Sequence, residues 1–354
     1  MDPRRYARYR RQITLEGFGA QAQQALADAH VVVAGAGGLG SPALLYLAAV
    51  GVGHVTVIDD DVVELSNLHR QVIHTDAALG QPKAESARRE MLARNPEMTV
   101  TVVRDRLEAS CAVSVLDGAD VVLDGTDNFA ARYAASHGCA VLGVPHVWAS
   151  ILGFDAQLSV YGMPGAPVYE AVFPTPPPAG SVPSCAQAGV LGPLVGVVGA
   201  AMAMEAVKVL TGVGAPLAGR IGYYSGLTGM WEYIPVAADP AVAARVCATP
   251  TPTQDAPGAA SVAPSVPSLD GAALLDVREP DEFATVRIPG AVNVPLSVLR
   301  DHVPAQVRSL GDAGDLVVYC ASGVRSAQAV ELLEAAGITA TDYPGGINAW
   351  LETQ

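Results

Sequence analysis

The chain has 354 residues, which is enough for about two domains at roughly 150 residues each. Half of its residues are apolar, so it is not a disordered protein and can build sizeable cores. Its 35 acidic and 21 basic residues give a net charge of -14. Because such a charge repels phosphate backbones and anionic lipids, we expect neither nucleic acid nor a membrane among its partners.

Cysteine usage indicates a reducing compartment. The odd number of widely spaced cysteines fits neither a disulfide framework nor a CxxC zinc clip. They are Cys111, Cys139, Cys185, Cys247 and Cys320. No apolar run of signal-peptide length follows the arginine-rich segment 1–11, and segment 188–204 carries Pro193 and several glycines, as a buried core helix does. We therefore expect a cytoplasmic protein.

The first 162 residues alternate between strand-like and helix-like segments. A strand at 29–34, the turn GAGGLG at 35–40, an apolar helix and a strand at 54–59 form one βαβ unit. Further strands are predicted at 100–103, 120–123, 146–149 and 157–161, with helices at 83–93 and 128–141. The pattern predicts an α/β fold with a Rossmann-like, doubly wound, mostly parallel sheet.

A change in composition marks the boundary of a second domain. A proline-rich passage after residue 162 leads to a helix at 191–210 and to strands at 221–225 and 230–236. From 248 to 268 the chain consists mainly of Pro, Ala, Ser, Thr and Gly, as extended linkers do. A small α/β pattern then follows, with strands at 272–277, 291–295 and 315–320 and a helix at 326–336. We therefore divide the chain into a domain at 1–247, a linker at 248–268 and a domain at 269–354.

The glycine-rich turn is typical of a nucleotide pocket. At Gly35, Gly37, Gly38 and Gly40 the backbone can approach a phosphate chain, and the following helix N-terminus favours its negative charge. Asp59 closes the second strand, where a carboxylate can bind ribose hydroxyls. The same pattern suits an NAD-dependent oxidoreductase, so the glycines alone leave both classes open.

Charged residues after the second strand favour adenylate chemistry over hydride transfer. Attack of a carboxylate on an α-phosphate needs cations for the developing charge and a carboxylate that holds Mg²⁺. Arg70, Lys83 and Asp127 can supply these groups. Hydride transfer has no use for them.

At these residues the chain resembles the ubiquitin-activating-like adenylyltransferases of the MoeB/ThiF type. The resemblance covers about residues 5 to 235 and rests on six motifs in order: RYRRQI, GAGGLG, SNLHRQ, GQPK, GTDN and SCAQAGV. It implies ATP and Mg²⁺ as cofactors. It also implies that the substrate is the C-terminal glycine of a small ubiquitin-fold sulfur carrier protein.

The resemblance assigns a role to each matching residue. Asp59 would bind ribose, Asp127 would hold Mg²⁺, and Arg11 would reach into the pocket of a neighbouring subunit, which implies a homodimer. Triphosphate contacts are implied for Asn67, Arg70 and Lys83. The plain alternatives are solvated surface charges for the cations and a turn or cap residue for Asp127.

The chain departs from the family at the positions of a structural zinc site. Relatives of this type carry two CxxC pairs, but Val168 and Ala171 stand where the first pair would lie, and near the second only Cys247 remains. Because one thiolate cannot hold a tetrahedral zinc ion, we predict no structural zinc site and apolar packing in its place.

Cys185 precedes the long helix in the segment SVPSCAQAGV. The resemblance implies a cysteine here that forms a thioester, persulfide or disulfide during sulfur transfer. A helix N-terminus can lower the pKa of such a thiol. The alternative is a buried small hydrophobic side chain.

A second site is predicted around Cys320. The segment CASGVR ends a strand and begins a helix, so backbone N–H groups can converge on the sulfur and stabilise an anionic persulfide, with Arg325 adding charge. Residues 268 to 354 resemble a single rhodanese domain in four motifs: LLDVREPDEF, RIPGAVNVP, CASGVR and GGINAW. Asp276 and Arg278 are expected to form a structural ion pair, and Arg287 stands where the family usually has histidine.

Together the two resemblances suggest an adenylyltransferase fused to a sulfurtransferase. The carrier would end in Gly-Gly, and its terminal carboxylate would be adenylated. A persulfide on Cys320 would then attack the acyl adenylate. A cysteine desulfurase or thiosulfate would supply the sulfur for that persulfide. Two alternatives stay open: an NAD-dependent oxidoreductase with a sulfur-handling module, and a non-catalytic scaffold that binds a carrier. Molybdenum cofactor, thiamine, cysteine, tRNA thiolation and secondary-metabolite pathways would all use the same chemistry.

Overall fold

The computed structural model describes most of the chain in two units, each of which is described here by itself. The described residues are 2–177, 188–249, 267–269, 271–312, 315–321 and 323–352. Cys185 and most of the predicted linker at 248–268 lie outside these ranges. The domain boundaries given above therefore stay predictions.

The first unit is built on an eight-stranded sheet of order β3-β2-β1-β4-β5-β6-β7-β8. Its strands are β1 (His30–Ala34), β2 (His54–Ile58), β3 (Thr99–Val103), β4 (Val121–Asp124), β5 (His146–Leu152), β6 (Asp155–Tyr161), β7 (Arg220–Ser225) and β8 (Met230–Pro235). The first five strands are parallel, and β6, β7 and β8 extend the sheet antiparallel. This arrangement confirms the predicted Rossmann-like sheet.

The two faces of the sheet are buried by different helices, which explains the continuous apolar run of β1. Val31 and Val33 belong to a core with Leu44 and Val198. Val32 belongs to the opposite core, which the helices after β3 and β4 cover. A strand buried on both faces needs apolar residues at every position rather than at alternate ones.

The helices of this unit cover both faces. They are α1 (Pro3–Ile13), α2 (Gly19–Asp28), α3 (Gly40–Val50), α4 (Lys83–Arg94), α5 (Ala112–Leu116), α6 (Phe129–Leu142), α7 (Tyr169–Val172), α8 (Gly192–Thr211) and α9 (Pro240–Ala248). By length and composition α8 could cross a membrane. It packs instead against α2 and α3 and buries Val198, Met202 and Ala206, as predicted for a core helix.

An aromatic cluster occupies the region in which relatives were expected to carry zinc cysteines. Trp148, Tyr161 and Tyr169 are almost fully buried and pack on one another. Val168 is buried beside them, and α9 packs against α6 and α7. The Cys247 thiol donates to the carbonyl of Ala140 at 3.3 Å. Apolar and aromatic contacts thus join these segments.

The second unit is a smaller parallel sheet of order β10-β9-β11-β12. Its strands are β9 (Ala273–Asp276), β10 (Val292–Asn293), β11 (Leu316–Tyr319) and β12 (Ala340–Asp342), and its helices are α10 (Pro280–Thr285), α11 (Leu296–Asp301), α12 (Ala305–Asp312), α13 (Val324–Ala335) and α14 (Gly346–Glu352). Val318 and Leu333 lie in its larger core, and Val317 and Tyr319 in the core on the other face. The predicted second α/β domain is confirmed.

The α3 helix offers a direct test of this packing. Leu47 is fully buried, whereas the adjacent Tyr46 is 54% exposed. We expect Leu47→Ala to lower the free energy of unfolding of the first unit by about 2–5 kcal/mol, because it removes apolar contacts and leaves a cavity. Tyr46→Ala should change it by less than about 0.5 kcal/mol. Urea unfolding followed by circular dichroism measures both, and equal shifts for the two variants would contradict the packing described.

Candidate active sites

The glycine-rich turn lies at the carboxyl ends of β1 and β2, beside the point where the strand order reverses. A Cβ on Gly40 would lie 1.9 Å from the carbonyl oxygen of Gly35, and Gly35 itself has a φ of +91°. A Cβ on Gly38 would lie 2.9 Å from Val195 of α8. At Gly37, by contrast, the nearest atom would be 3.7 Å away, so the open space of this turn lies there.

Asp59 follows β2 directly and borders this turn. Its Oδ2 accepts a hydrogen bond from the backbone N–H of Ala36 at 2.8 Å, and its Oδ1 accepts from the N–H of Asp61 at 2.9 Å. Burial raises the pKa of Asp59, while the Ala36 N–H and the charge of Lys83 act in the opposite direction. The carboxylate is thus held against the glycine turn. The sequence predicted that Asp59 binds the ribose of a nucleotide at this position.

Lys83 opens α4 and is brought to the same edge of the sheet. It is 6% exposed, and its Nζ bonds to Oδ2 of Asp61 at 2.8 Å. Its backbone N–H donates to the carbonyl of Asp61 at 2.9 Å, which fixes the start of the helix. The sequence predicted the lysine but missed Asp61, its partner in the structure.

Asn67 and Arg70 both make local contacts. The Asn67 amide bonds to Glu64 and Ser66 within the short 3₁₀ turn Leu65–Asn67. The Arg70 guanidinium donates to the carbonyl of Ser66 at 2.9 Å and contacts the ring of His69. Their predicted contacts with a triphosphate stay predictions.

Gln71 and His74 belong to the site but were missed in the sequence. The His74 ring bonds to the carbonyl of Ala36 at 2.9 Å and to the Ser86 hydroxyl at 3.0 Å, which ties the glycine turn to α4. Gln71 is buried, and its Oε1 has no hydrogen-bond partner within the described chain. Its Nε2 is the atom closest to the open space at Gly37. Such an orphaned polar group fits a pocket that binds a polar ligand.

The GTDN loop, in which Asp127 lies, follows β4 and docks on the glycine turn. The N–H of Gly125 donates to the carbonyl of Ala34 at 2.9 Å. Thr126 donates its N–H and hydroxyl to Asp124 at 3.0 and 2.6 Å. The Asp127 carboxylate is exposed and makes no hydrogen bond or ion pair to any residue that the structure describes.

Asp124 anchors this loop from below. It is fully buried, and its Oδ2 lies 3.3 Å from Nε2 of His146. Burial alone would raise the pKa of Asp124, but the hydrogen bonds from His146 and Thr126 outweigh it and lower the pKa. The sequence missed this pair because His146 lies on another strand.

The donor set at Asp127 fits a hard cation only in part. Among the described residues there is no group of three or more His, Cys, Asp or Glu side chains that could hold a metal ion. Mg²⁺ prefers few protein carboxylates together with water and substrate phosphate oxygens. An exposed Asp127 that makes no ion pair within the described chain, in a loop that docks on the glycine turn, is therefore compatible with magnesium bound together with a nucleotide.

For two predicted site residues, Arg11 and Cys185, the structure gives no contact with the other site residues of the first unit. Arg11 lies exposed in the last turn of α1. Its predicted contact with a second subunit needs a partner chain and stays a prediction. Cys185 lies outside the described residues.

Cys320 follows β11 at the base of the loop leading into α13. Its Sγ accepts hydrogen bonds from the N–H of Gly323 at 3.1 Å and from the Ser326 hydroxyl at 3.4 Å. The side chain is 1% exposed. Gly323 has a φ of +95°, which turns its N–H towards the sulfur. Donors at the start of a helix are the arrangement expected from the sequence for this loop, and the predicted persulfide on Cys320 stays a prediction.

Arg325 is paired with an acidic side chain, so it is not a free charge beside the sulfur. Its Nη1 and Nη2 bond to the two carboxylate oxygens of Glu282 at 2.7 and 2.8 Å. Asp276 and Arg278 form a separate buried ion pair at 2.6 Å, and Arg278 also donates to the carbonyl of Val286. The second pair is structural, as expected.

Comparisons with known proteins agree with this geometry. The ThiF family profile matches residues 9–245, and the rhodanese-like domain profile matches residues 266–353. The chain belongs to the ThiF family and carries a rhodanese-like domain. It is 40% identical to MoeZ of Mycobacterium tuberculosis over 97% of this chain and 92% of that protein.

Other relatives also match nearly the whole of this chain. The adenylyltransferase and sulfurtransferase MOCS3-1 of Zea mays is 38% identical over 97% of this chain and 81% of its own. The adenylyltransferase and sulfurtransferase UBA4 of Yarrowia lipolytica is 37% identical over 98% of this chain and 93% of its own. Among solved structures, E. coli MccB with ATP has a TM-score of 0.55 at 23% identity over 62% of this chain and 67% of MccB. That likeness shows the fold.

Because of His74, stability should fall in moderately acidic solution. Burial lowers the pKa of His74 from 6.5 to about 4. The unfolded chain binds a proton at this residue below pH 6.5 and the folded chain does not, so the folded state loses stability as the pH falls from 6.5 to 4. Two and a half pKa units correspond to about 3 kcal/mol.

The measurement compares urea unfolding at pH 7 and pH 4.5 for the wild type, His74→Gln and, as control, the exposed His302→Gln. We expect the loss of stability on acidification to be smaller in His74→Gln by about 2 kcal/mol, because most but not all of the pKa difference acts between pH 7 and pH 4.5. His302→Gln should follow the wild type. The same loss in all three proteins would contradict a buried neutral His74.

Proposed function

We propose that this chain adenylates the C-terminal glycine of a ubiquitin-fold sulfur carrier protein and then delivers sulfur to it from Cys320. Adenylyltransferase and sulfurtransferase are the two activities, one for each matched domain. Relatives spanning nearly the whole chain carry both activities in their names. The product is a carrier with a C-terminal thiocarboxylate.

The observation that carries the first activity is the buried Lys83 beside the glycine turn. A lysine that is 6% exposed costs free energy to bury, and its partner Asp61 bonds through its backbone to Asp59. Transfer of an adenylyl group uses this cation on the phosphates. A hydride transferase or a non-catalytic scaffold would have no use for it, so these alternatives are disfavoured.

In the proposed adenylation, the N–H groups of the glycine turn and the N-terminus of α3 bind the phosphates of ATP, and Asp59 binds its ribose. Lys83, Arg70 and Asn67 contact the triphosphate. Asp127 would hold Mg²⁺, which neutralises phosphate charge when bound. The carrier's carboxylate attacks the α-phosphorus, the bond to the β-phosphate oxygen breaks, and pyrophosphate leaves.

In the proposed sulfur transfer, a persulfide on Cys320 attacks the carbonyl carbon of the acyl adenylate and AMP leaves. The resulting acyl disulfide joins the carrier to Cys320. The Cys185 thiolate then attacks the Cys320 sulfur, which releases the thiocarboxylate and forms a disulfide between the two cysteines. A cellular thiol reduces that disulfide and completes the cycle.

The remaining partners belong to the same proposal. We place the protein in the cytoplasm as a homodimer in which Arg11 of one subunit completes the nucleotide pocket of the other. The sulfur donor is a cysteine desulfurase or thiosulfate. The division into domains at 1–247 and 269–354, with a linker at 248–268, lets Cys320 serve both the donor and the adenylate.

ATP–pyrophosphate exchange tests the adenylation. With Mg²⁺ and a carrier ending in Gly-Gly, we expect exchange in the wild type and a loss of at least about a hundredfold in Asp127→Asn, because charge stabilisation of the transferring phosphate is lost. The exposed Asp117→Asn, which makes the same chemical change elsewhere, should retain exchange. No exchange with any carrier, together with binding of a nicotinamide cofactor, would favour the oxidoreductase instead.

Mass spectrometry of the carrier tests the sulfur transfer. Cys320→Ala should abolish formation of the thiocarboxylate and leave ATP–pyrophosphate exchange intact, because the thiol acts only after adenylation. Cys247→Ser, which changes an exposed thiol of the first unit, is the control and should retain both activities. Thiocarboxylate formation by Cys320→Ala at the wild-type rate would exclude Cys320 as the sulfur carrier.

A further inference from the structure

The only basic residue of the segment CASGVRS is Arg325, and its charge is cancelled by Glu282. Both guanidinium Nη atoms bond to the carboxylate, at 2.7 and 2.8 Å, so the pair is bidentate. About a third or less of each side chain is exposed, at 27% and 33%. Bidentate pairs of this kind are stronger than ordinary exposed ion pairs.

Glu282 is held in place by more than this ion pair. It is the third residue of α10, and its carboxylate accepts the N–H of Glu279 at 3.1 Å in a reciprocal cap. The hydrogen bonds from Arg325 are the main reason that the pKa of Glu282 lies below its usual range. Glu282 is therefore ionised at neutral pH and fixed by the helix that carries it.

The neighbouring cations are also engaged. Arg278 is buried and forms an ion pair with Asp276. The guanidinium of Arg287 lies over the ring of Phe283, at 5.2 Å from its centroid. Among the residues that the structure describes, the neutral Gly323 N–H and Ser326 O–H donate hydrogen bonds to the Cys320 sulfur.

We infer that Glu282 sets the donor specificity of the sulfur site, disfavouring dianionic thiosulfate and favouring a persulfide of the form R–S–SH. This inference rests on the proposed sulfur transfer. Thiosulfate would bring two negative charges to the sulfur site, beside an arginine that is already neutralised. A persulfide brings at most one negative charge at its reacting end.

Both loading reactions balance without a further reactant. With a persulfide, the Cys320 thiolate attacks the outer sulfur, the S–S bond of the donor breaks, and the thiolate R–S⁻ leaves. With thiosulfate, the thiolate attacks the outer sulfur and sulfite leaves. The two differ in the charge that the loop must stabilise, and this is the quantity that Glu282 controls.

The test measures sulfur transfer to cyanide by the full chain, with thiosulfate or cysteine persulfide as donor. Glu282→Gln keeps the helix cap, because glutamine also serves at this position, and frees Arg325 to bind a sulfonate. We expect kcat/KM for thiosulfate to rise about tenfold, mainly through KM, while the value for the persulfide changes less than twofold. Glu279→Gln makes the same charge change three residues away without breaking the ion pair, and should leave the ratio of the two donors unchanged.

Two results would overturn the inference: a wild-type kcat/KM for thiosulfate equal to or above that for the persulfide, or an unchanged thiosulfate value in Glu282→Gln. The wild-type comparison needs no variant, so it decides even if Glu282→Gln unfolds. Neither measurement involves ATP or the carrier. Failure of the proposed adenylation, seen by pyrophosphate exchange, is therefore distinguishable from failure of this inference.

Discussion

The nucleotide site depends on the close approach of two turns at the carboxyl ends of three parallel strands. The N–H of Gly35 donates to Ile58 of β2 at 2.8 Å, and the N–H of Gly125 donates to Ala34 of β1 at 2.9 Å. A Cβ on Gly35 would lie 3.2 Å from the carbonyl oxygen of Gly125. This contact brings the GTDN loop against the glycine turn, so that loops after separate parallel strands lie side by side.

The rhodanese-like unit builds its site in the same way with other chemistry. In each unit a buried parallel strand is followed by a loop that contains a glycine with positive φ, Gly35 or Gly323, and that loop leads into a helix. In the first unit such an arrangement suits the phosphate oxygens of the nucleotide that we propose there. In the second it presents the Gly323 N–H to the Cys320 sulfur. Both units stabilise an anion with backbone dipoles, which hold their orientation without a flexible side chain.

Local sequence patterns predicted the parts of the fold that are buried on two faces. Strands such as β1 and β4 are continuous apolar runs, and α8 is a long apolar segment, so each was found close to its observed bounds. The helix α1 was missed, because Tyr9 is its one buried residue among the described positions and the rest is polar. The short α10 was missed for a similar reason, since its described residues are all partly or fully exposed.

The sequence predicted individual residues of the candidate sites but not the ion pairs that these residues form. The individual residues were found because they lie in motifs whose spacing is typical of their proposed chemistry. They are the glycines of the turn, Asp59, Lys83 and Cys320. Their partners lie far along the chain: Asp61 is 22 residues from Lys83, and Glu282 is 43 residues from Arg325. No local pattern reports such distances, because only the folded sheet brings the two segments together.

In the proposed function, these two ion pairs determine how each site responds to an anionic ligand. The Asp61 side chain is 58% exposed, so water stabilises it when Lys83 turns to a phosphate, and the exchange costs little. Glu282 is fixed by the cap of α10 and by two hydrogen bonds, so an incoming anion must break a preformed bidentate pair to reach Arg325. The first cation is thus available to a triphosphate, whereas the second is withheld from a dianion. In the proposed function, one chain can in this way admit ATP at one site and still select a sulfur donor with less negative charge than thiosulfate at the other.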